Sequence, residues 1–340
     1  MSAKKYRVGI VGAGMVGERL VEVLLERRFP LGELRIMATS ARRQEFAGRE
    51  YDVIAASEDA FDGLDVALFA GTEGESGASK LYGWAAVEKG VFVVDNGGDF
   101  RMDTRVPLIV PEVNAEAMRG HQGFIANPNC STIQMVVALA PLHRAARLRR
   151  VVVSTYQAVS GTGRPGVRAL REQTRAAAGG GTMDLGPYPH PIYNNVIPQV
   201  GKLRETYPGY YTEEVKMIEE SRKILGCPDL PLTATCARVP VECCHSEAIN
   251  AEFEREVSVE EARELLARSE GVVVQDDPGE SEYPLAIEAA GKDAVYVGRI
   301  RKDPSRANAL DLWVVSDNVR KGAALNAVQI VEKAIEMGLL

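Results

Sequence analysis

A short apolar run, Val8-Gly-Ile-Val11, breaks directly into Gly12-Ala-Gly14-Met-Val-Gly17. Val16, Leu20, Val23 and Leu24 then recur at helical spacing until Pro30. Few folds satisfy that order. A buried strand must turn tightly into a helix, and glycines let the backbone both turn and approach a pyrophosphate, which the helix N-terminus stabilises. The pattern predicts dinucleotide binding at Gly12, Gly14, Met15, Val16 and Gly17. Read by itself, the same turn also serves a helix that only packs closely on its strand.

The rest of the first third extends the pattern. Leu34–Ala38, Val66–Phe69 and Val91–Val94 read as strands, and a helix through Leu81, Trp84 and Ala85 ends at Gly90. Strands alternating with helices imply a parallel, doubly wound, Rossmann-like sheet. NAD enzymes usually end the second strand with a carboxylate for the ribose 2′-hydroxyl. Here Ala38-Thr-Ser40-Ala-Arg42-Arg43 has none, and Ser40, Arg42 and Arg43 suit the 2′-phosphate of NADP. The other reading makes both arginines ordinary solvated loop charges.

Beyond residue 130 the texture becomes mixed α+β. Val151–Tyr156, Ala234–Val241, Ala248–Val257, Tyr296–Ile300 and Leu310–Val315 read as strands. Thr212 caps one helix, and Ser258 opens another with Glu261 completing a capping box. Residues 178–191 read as a surface loop, and Gly322–Met337 as a final helix whose partner nothing in the sequence fixes.

The length of 340 residues suits about two domains. A net charge of −7 argues against nucleic acid as the main partner. The N-terminus has no signal layout and no apolar run reaches the roughly 20 residues a membrane span needs, so the cytoplasm is expected. Five cysteines at 130, 227, 236, 243 and 244 offer no paired framework and read as reduced thiols.

Asn127-Pro-Asn129-Cys130-Ser-Thr132 precedes Ile133, Val136, Val137 and Ala140 at helical spacing. Cys130 therefore stands at a helix N-terminus with Asn129 as a natural cap, where unpaired amides and the helix dipole favour the thiolate. A lone cysteine there also reads as a small buried residue; its place at the junction of two domains favours the nucleophile. A thiol nucleophile needs a proton partner, and the histidines are 121, 143, 190 and 245. His245 opens an alternating strand seven residues after Arg238, which in an unbroken strand puts the two on opposite faces. If both serve one site, Pro240 or the Cys243-Cys244 pair must interrupt the strand. A Cys243/Cys244/His245 metal site is the rival reading. Adjacent cysteines chelate one ion poorly and no CxxC pair supports it, so no metal is expected.

The chain resembles aspartate-semialdehyde dehydrogenases through several ordered motifs. They are Val110-Pro-Glu-Val-Asn114, Asn127-Pro-Asn-Cys-Ser-Thr-Ile-Gln134, Ser154-Thr-Tyr-Gln-Ala-Val-Ser-Gly161, Arg238-Val-Pro-Val241 with His245-Ser-Glu247, Val297-Gly-Arg-Ile-Arg-Lys302, and Trp313-Val-Val-Ser-Asp-Asn318 through Lys321-Gly-Ala-Ala324. The resemblance implies an α/β protein with a Rossmann-like domain, residues 1–129 with 318–340, and an α+β catalytic and dimerisation domain, residues 130–317. It implies Cys130 as nucleophile, His245 as general acid/base, and Gln157 orienting the substrate. Arg238 matches the arginine that grips the α-carboxylate and Glu220 the acid that receives the amino group. Arg101, Asn129 and Lys223 match residues around phosphate, and Ser160, Gly161 and Asn318 fall where the family meets its cofactor. The implied reaction is NADP-dependent reductive dephosphorylation of L-aspartyl 4-phosphate through a Cys130 thioester. It serves aspartate-family amino-acid synthesis: lysine and diaminopimelate, threonine, methionine. A homodimer or homotetramer is implied, with no nucleic-acid or membrane partner. Met217, Glu220 and Ile224 share a helical stripe, although Glu220 and Lys223 also read as a surface ion pair. Three features depart from the family pattern: the glycine loop is one residue shorter, Gly97-Gly98 stand where hydroxyl residues are expected, and Cys243-Cys244 precede His245. The remaining alternatives are a reductase for another acyl donor, an inert cofactor-binding paralogue, and a metal-binding module.

Overall fold

The computed structural model describes residues 4–71 and 73–340. The chain divides into two compact units, Met1–Asn129 with Ala323–Leu340, and Cys130–Gly322. The chain thus returns to its first unit at Ala323, where the sequence placed the return at Asn318. No helix among the described residues is long and apolar enough to cross a membrane.

The first unit is built on seven strands: β1 (Tyr6–Val11), β2 (Leu31–Ala38), β3 (Arg42–Phe46), β4 (Arg49–Ala55), β5 (Val66–Phe69), β6 (Phe92–Asp95) and β7 (Phe124–Ala126). Their spatial order is β3-β4-β2-β1-β5-β6-β7. Every pairing is parallel except that of β3 with β4. Helices α1 (Met15–Glu26) and α2 (Ala78–Glu88) and the short α3 (Pro111–Asn114) belong to the same unit. β5 is buried at every position, as strands of a parallel sheet covered on both faces must be.

The terminal helix, Leu325–Glu336, packs on α1. It places Leu325, Val328, Ile330 and Val331 in the core that holds Val8, Ile10, Leu20 and Leu24. Each such side chain contributes on the order of 1.5–3 kcal/mol by leaving water. Arg27 and Glu332 join the two helices at 2.6 Å. The segment read from sequence as the loop after the second strand is instead the edge strand β3. It turns into β4 through Ala47 and Gly48, both at positive φ, as a two-residue hairpin requires.

The second unit carries α4 (Cys130–Ala146), β8 (Leu148–Gln157), α5 (Arg164–Gly179), β9 (Leu203–Arg204), β10 (Tyr207–Tyr211), α6 (Thr212–Leu225), β11 (Leu232–Arg238), β12 (His245–Phe253), α7 (Val259–Ala267), β13 (Val272–Val274), α8 (Ala286–Ala289), β14 (Val295–Lys302) and β15 (Ala309–Ser316). Six strands form one sheet in the order β11-β8-β12-β15-β14-β13. β8 with β11 and β13 with β14 run parallel, and the other pairs antiparallel. α4 is apolar almost all round and lies against the sheet with α6 and α7 beside it, which is why it shows no amphipathic stripe. α6 is capped by Tyr211, not Thr212: Glu214 reaches back to accept the Tyr211 amide at 2.7 Å. Ser258 caps α7, its hydroxyl accepting the Glu261 amide at 3.0 Å.

The other face of this sheet is covered only in part within the unit, by α8 and the segment before it, where the Trp313 indole donates to the Pro284 carbonyl at 3.1 Å. Tyr156, Ser246, Ala248, Trp313, Arg299 and Arg301 stand on it, and the rings of Tyr156 and Trp313 lie 5.5 Å apart. A cleft of about 550 Å³ runs beside Trp313, Leu285 and Ala286.

Candidate active site

Cys130 is the first residue of α4, half-buried and in no disulfide. Its immediate surroundings are set by two residues of the same unit. Ser131 accepts a hydrogen bond from Gln157 Nε2 at 2.8 Å, so the end of β8 is tied to the first turn of α4. Gln157 Nε2 also donates to Glu213 Oε1 at 3.1 Å, which fixes the amide from α6. Gly322 approaches from behind: a β-carbon there would lie 2.8 Å from the Cys130 Cβ.

β8 then delivers the next pair. Ala158, one residue past Gln157, donates its amide to His245 Nδ1 at 3.0 Å and accepts from Arg238 Nη1 at 2.7 Å. With Nδ1 an acceptor, neutral His245 carries its proton on Nε2. Burial, then the neighbouring Arg238 charge, holds the imidazole pKa well below its ordinary value. The ring is therefore neutral, with a fixed Nε2–H donor. A β-carbon on Gly161 would stand 2.6 Å from Arg238 Nη1 and 3.3 Å from His245 Nε2. Arg238 and His245 thus face one point, as a shared site requires. The strand interruption is real: β11 ends at Arg238, β12 begins at His245, and Cys244 between them has φ +74°.

Glu220 is buried on α6 two turns beyond Glu213, and Lys223 is half-buried one turn further. Met217 and Ile224 are buried beside that stripe, which argues against a solvated surface pair for Glu220. Ser160 donates its hydroxyl to Asn318 Oδ1 at 3.0 Å, and Asn318 Oδ1 also accepts the Cys244 amide at 3.0 Å. Sequence reasoning missed Ser131, Ala158, Glu213 and Gly322. It also missed the role of Glu247, a fully buried carboxyl on β12 that burial pushes well above the usual range. Ser131, Ala158, Glu247 and Gly322 lie within the quoted motifs, which marked them without assigning a role, and nothing in the sequence pointed to Glu213.

In the first unit the glycine loop forms a cleft of about 580 Å³ with the ends of β1, β2 and β5. Gly12 has φ +119°, and a β-carbon there would meet the Ala70 backbone at 3.0 Å. One on Gly17 would lie 1.8 Å from the Gly12 carbonyl oxygen, so the first turn of α1 accepts only glycine at that position. Gly14 faces open space, as a residue beneath a pyrophosphate must. These residues fit a dinucleotide. Thr39, Arg42 and Tyr82 line the same cleft. Arg42 Nη1 donates to the Ser40 carbonyl at 3.1 Å and Nε to Gln44 at 3.0 Å, while Gln44 donates to the Ala13 carbonyl at 3.0 Å. Gln44, unnoticed in the sequence, therefore couples Arg42 to the glycine loop. Ser40, Arg43, Met15 and Val16 are not among the lining residues. Arg43 points away on β3 to Asp52 and Glu50, with its side chain 74% exposed.

Arg101 is buried in the first unit, Nε donating to the Asn127 carbonyl at 2.9 Å and Nη2 to that of Asn96 at 2.7 Å. Asn129, also buried, follows the same β7 turn. Asn127 is held in turn by Asn326 of the terminal helix at 2.7 Å. The glycines at 97 and 98 have a local cause: β-carbons there would stand 3.0 Å from the Asp95 carboxylate and 2.8 Å from that of Glu73. Burial raises the Asp95 pKa from 3.8 to about 6.

A model described as "Semialdehyde dehydrogenase, NAD binding domain" matches residues 7–121, and one described as "Semialdehyde dehydrogenase, dimerisation domain" matches residues 139–321. The aspartate-semialdehyde dehydrogenase of Aquifex aeolicus is 48% identical, across 98% of this chain and 99% of its own. That of Bacillus subtilis is 44% identical, across 98% of each. The crystal structure of aspartate semialdehyde dehydrogenase II complexed with ASA from Vibrio cholerae shares 39% identity at a TM-score of 0.93, covering 98% of this chain and 99% of that one. Matched in both halves by semialdehyde dehydrogenase models, and along nearly its full length by these relatives, the chain belongs to the aspartate-semialdehyde dehydrogenase family.

Proposed function

We propose that this enzyme uses NADP to reduce L-aspartyl 4-phosphate to L-aspartate 4-semialdehyde through a thioester on Cys130. The observation that carries this reading is the shared focus of Arg238 Nη1 and the His245 Nε2–H at Gly161, joined by hydrogen bonds through Ala158, Gln157 and Ser131 to the residue after Cys130. Cys130, at a helix N-terminus, attacks the acyl carbon as thiolate, and the C–O bond to phosphate breaks as the C–S bond forms. Gln157, clamped by Glu213, orients the acyl group, and first-turn amides of α4 stabilise the developing oxyanion. Arg238 keeps guanidinium donors beyond its bond to Ala158 for the substrate α-carboxylate. Glu220 receives the amino group. Arg101, Asn129 and Lys223 are assigned to phosphate by the family resemblance.

A nicotinamide held at the glycine-loop cleft would supply the hydride for reduction of the thioester. The Nε2–H of His245 hydrogen-bonds to the oxyanion left by hydride transfer and stays on the imidazole as that oxygen re-forms the carbonyl, so the C–S bond breaks to release aldehyde and return the Cys130 thiolate. NADP is preferred to NAD because the second strand ends without a carboxylate and Arg42 lines the cleft. Ser160, Gly161 and Asn318 complete the cofactor contacts on the resemblance. The partly open sheet face around Tyr156 and Trp313 is the surface through which two chains pair as a homodimer, in keeping with the "dimerisation domain" match. The acyl-enzyme is the direct test. Aspartyl phosphate without NADPH should leave a hydroxylamine-labile adduct on the Cys130 peptide by mass spectrometry, absent in Cys130→Ser. An adduct-free wild-type enzyme that still turns over would overturn the covalent step.

A further inference from the structure

We propose that Cys243, Cys244 and Asp317 form a binding site for one thiophilic divalent cation of the zinc and cadmium class. The site lies outside the groups that react in the mechanism proposed above, and its test reads metal binding rather than turnover.

Adjacent residues of an extended strand point to opposite faces, and that rule argues against two neighbouring cysteines sharing an ion. It does not apply here. Cys244 has φ +74°, a left-handed conformation that non-glycine residues rarely adopt. The turn swings the two sulfurs to the same side, 4.0 Å apart. A tetrahedral ion about 2.3 Å from each sulfur needs them about 3.8 Å apart, whereas a disulfide needs about 2.05 Å. The separation fits a chelate.

A carboxylate oxygen of Asp317 completes a triangle in which all three ligand atoms lie within 4.8 Å of one another. That carboxylate is buried and already oriented. Asp317 Oδ1 accepts the amides of Val319 and Arg320, both at 2.9 Å, and Oδ2 accepts that of Gly291 at 2.8 Å. Three bonds leave capacity among the roughly four lone-pair positions of a carboxylate. The opposite wall is fixed as well, because the Cys244 amide donates to Asn318. Cys244 is buried against Ala289 and Val315, while half-buried Cys243 leaves an approach for the ion. Water takes the fourth position. On binding, both thiols lose their protons to solvent and no electrons are transferred. The ligands immediately precede His245 and Asn318, so a bound ion ties the start of β12 to the end of β15 and holds His245 in place.

The test titrates reduced, chelator-treated full-length protein carrying Cys130→Ser with Cd²⁺ alone, following sulfur-to-cadmium charge-transfer absorbance and released protons. One equivalent should bind with the intensity of two thiolates, release two protons and raise the melting temperature. Cys243→Ser, at a half-buried position, should halve the band and weaken binding at least tenfold. Asp317→Asn, which can still accept amide bonds through Oδ1, should weaken binding while leaving the band intensity unchanged. No stoichiometric band in folded protein, a band that survives Cys243→Ser, or indifference to Asp317→Asn would each overturn the site.

Discussion

Gly322 lies so close behind Cys130 that a single added β-carbon would stand 2.8 Å from the cysteine Cβ, well inside normal contact. The nucleophile is therefore positioned by the absence of a side chain as much as by the helix it begins. Gly322→Ala should displace the sulfur by a fraction of an ångström to about an ångström, a shift that costs on the order of 10²-fold in turnover. Steady-state kcat and the rate of Cys130 alkylation check this together. Unchanged values for both would show that the close approach does not matter.

Gly161 plays the equivalent part across the substrate space, within 2.6 Å of Arg238 Nη1 and 3.3 Å of His245 Nε2 when given a β-carbon. Gly161→Ala should push the guanidinium aside and raise KM for aspartate semialdehyde about tenfold or more, with a smaller fall in kcat. Initial-rate kinetics at saturating cofactor measure the split. A fall in kcat with unchanged KM would argue that Arg238 does not hold substrate.

Arg42 is the only arginine of its pair to reach the glycine-loop cleft. Arg42→Ala should raise KM for NADP about tenfold, in line with one lost charge-assisted contact, and leave KM for NAD nearly unchanged. Arg43→Ala should change neither. Equal effects on both cofactors from Arg42→Ala would remove it from 2′-phosphate recognition.

Asp95 sets a pH dependence in the first unit. Its folded pKa is raised to about 6 from 3.8, chiefly by burial, so between those values the native state binds more protons than the unfolded one. Stability from this group is thus fullest below about pH 4 and is lost as pH rises to about 6. Asp95→Asn should flatten that slope and stabilise the protein at pH 7 by ~1–3 kcal/mol, since two units correspond to about 3 kcal/mol at most. Melting temperatures at pH 4.5 and 7 measure it; an unaltered difference between them would mean Asp95 titrates normally.

Trp313 stands beside Tyr156 on the partly open sheet face. If two chains pair through this face as proposed, Trp313→Glu should shift the protein toward monomer in sedimentation, because a charge in the core of such an interface is left unpaired. An unchanged dimer would place the contact elsewhere.

Much of this was readable in the chain because it depends on local rules. The glycine loop follows its strand directly, and β5 ran as expected over Val66–Phe69 because a four-residue apolar run leaves no register to choose. What stayed hidden depends on contacts distant in sequence. β3 escaped because Ala47-Gly48 lacks the Asn-Gly signature of its turn, so Arg42 and Arg43 read as loop, and their opposite directions, set by strand alternation, went unseen. Arg238 and His245 posed a conflict from spacing alone, resolved because the chain leaves β11 and returns as β12 on the other side of β8, so the two residues flank one strand end. Glu213 and Gly322 act only by proximity to Gln157 and Cys130, residues they meet across the fold.

The central claim is acyl-phosphate chemistry at Cys130. Its most direct measurement is NADPH formation from L-aspartate 4-semialdehyde and NADP, with and without inorganic phosphate. Turnover should require phosphate and disappear in Cys130→Ser. Phosphate-independent turnover, or none from folded enzyme with a titratable Cys130 thiol, would contradict it.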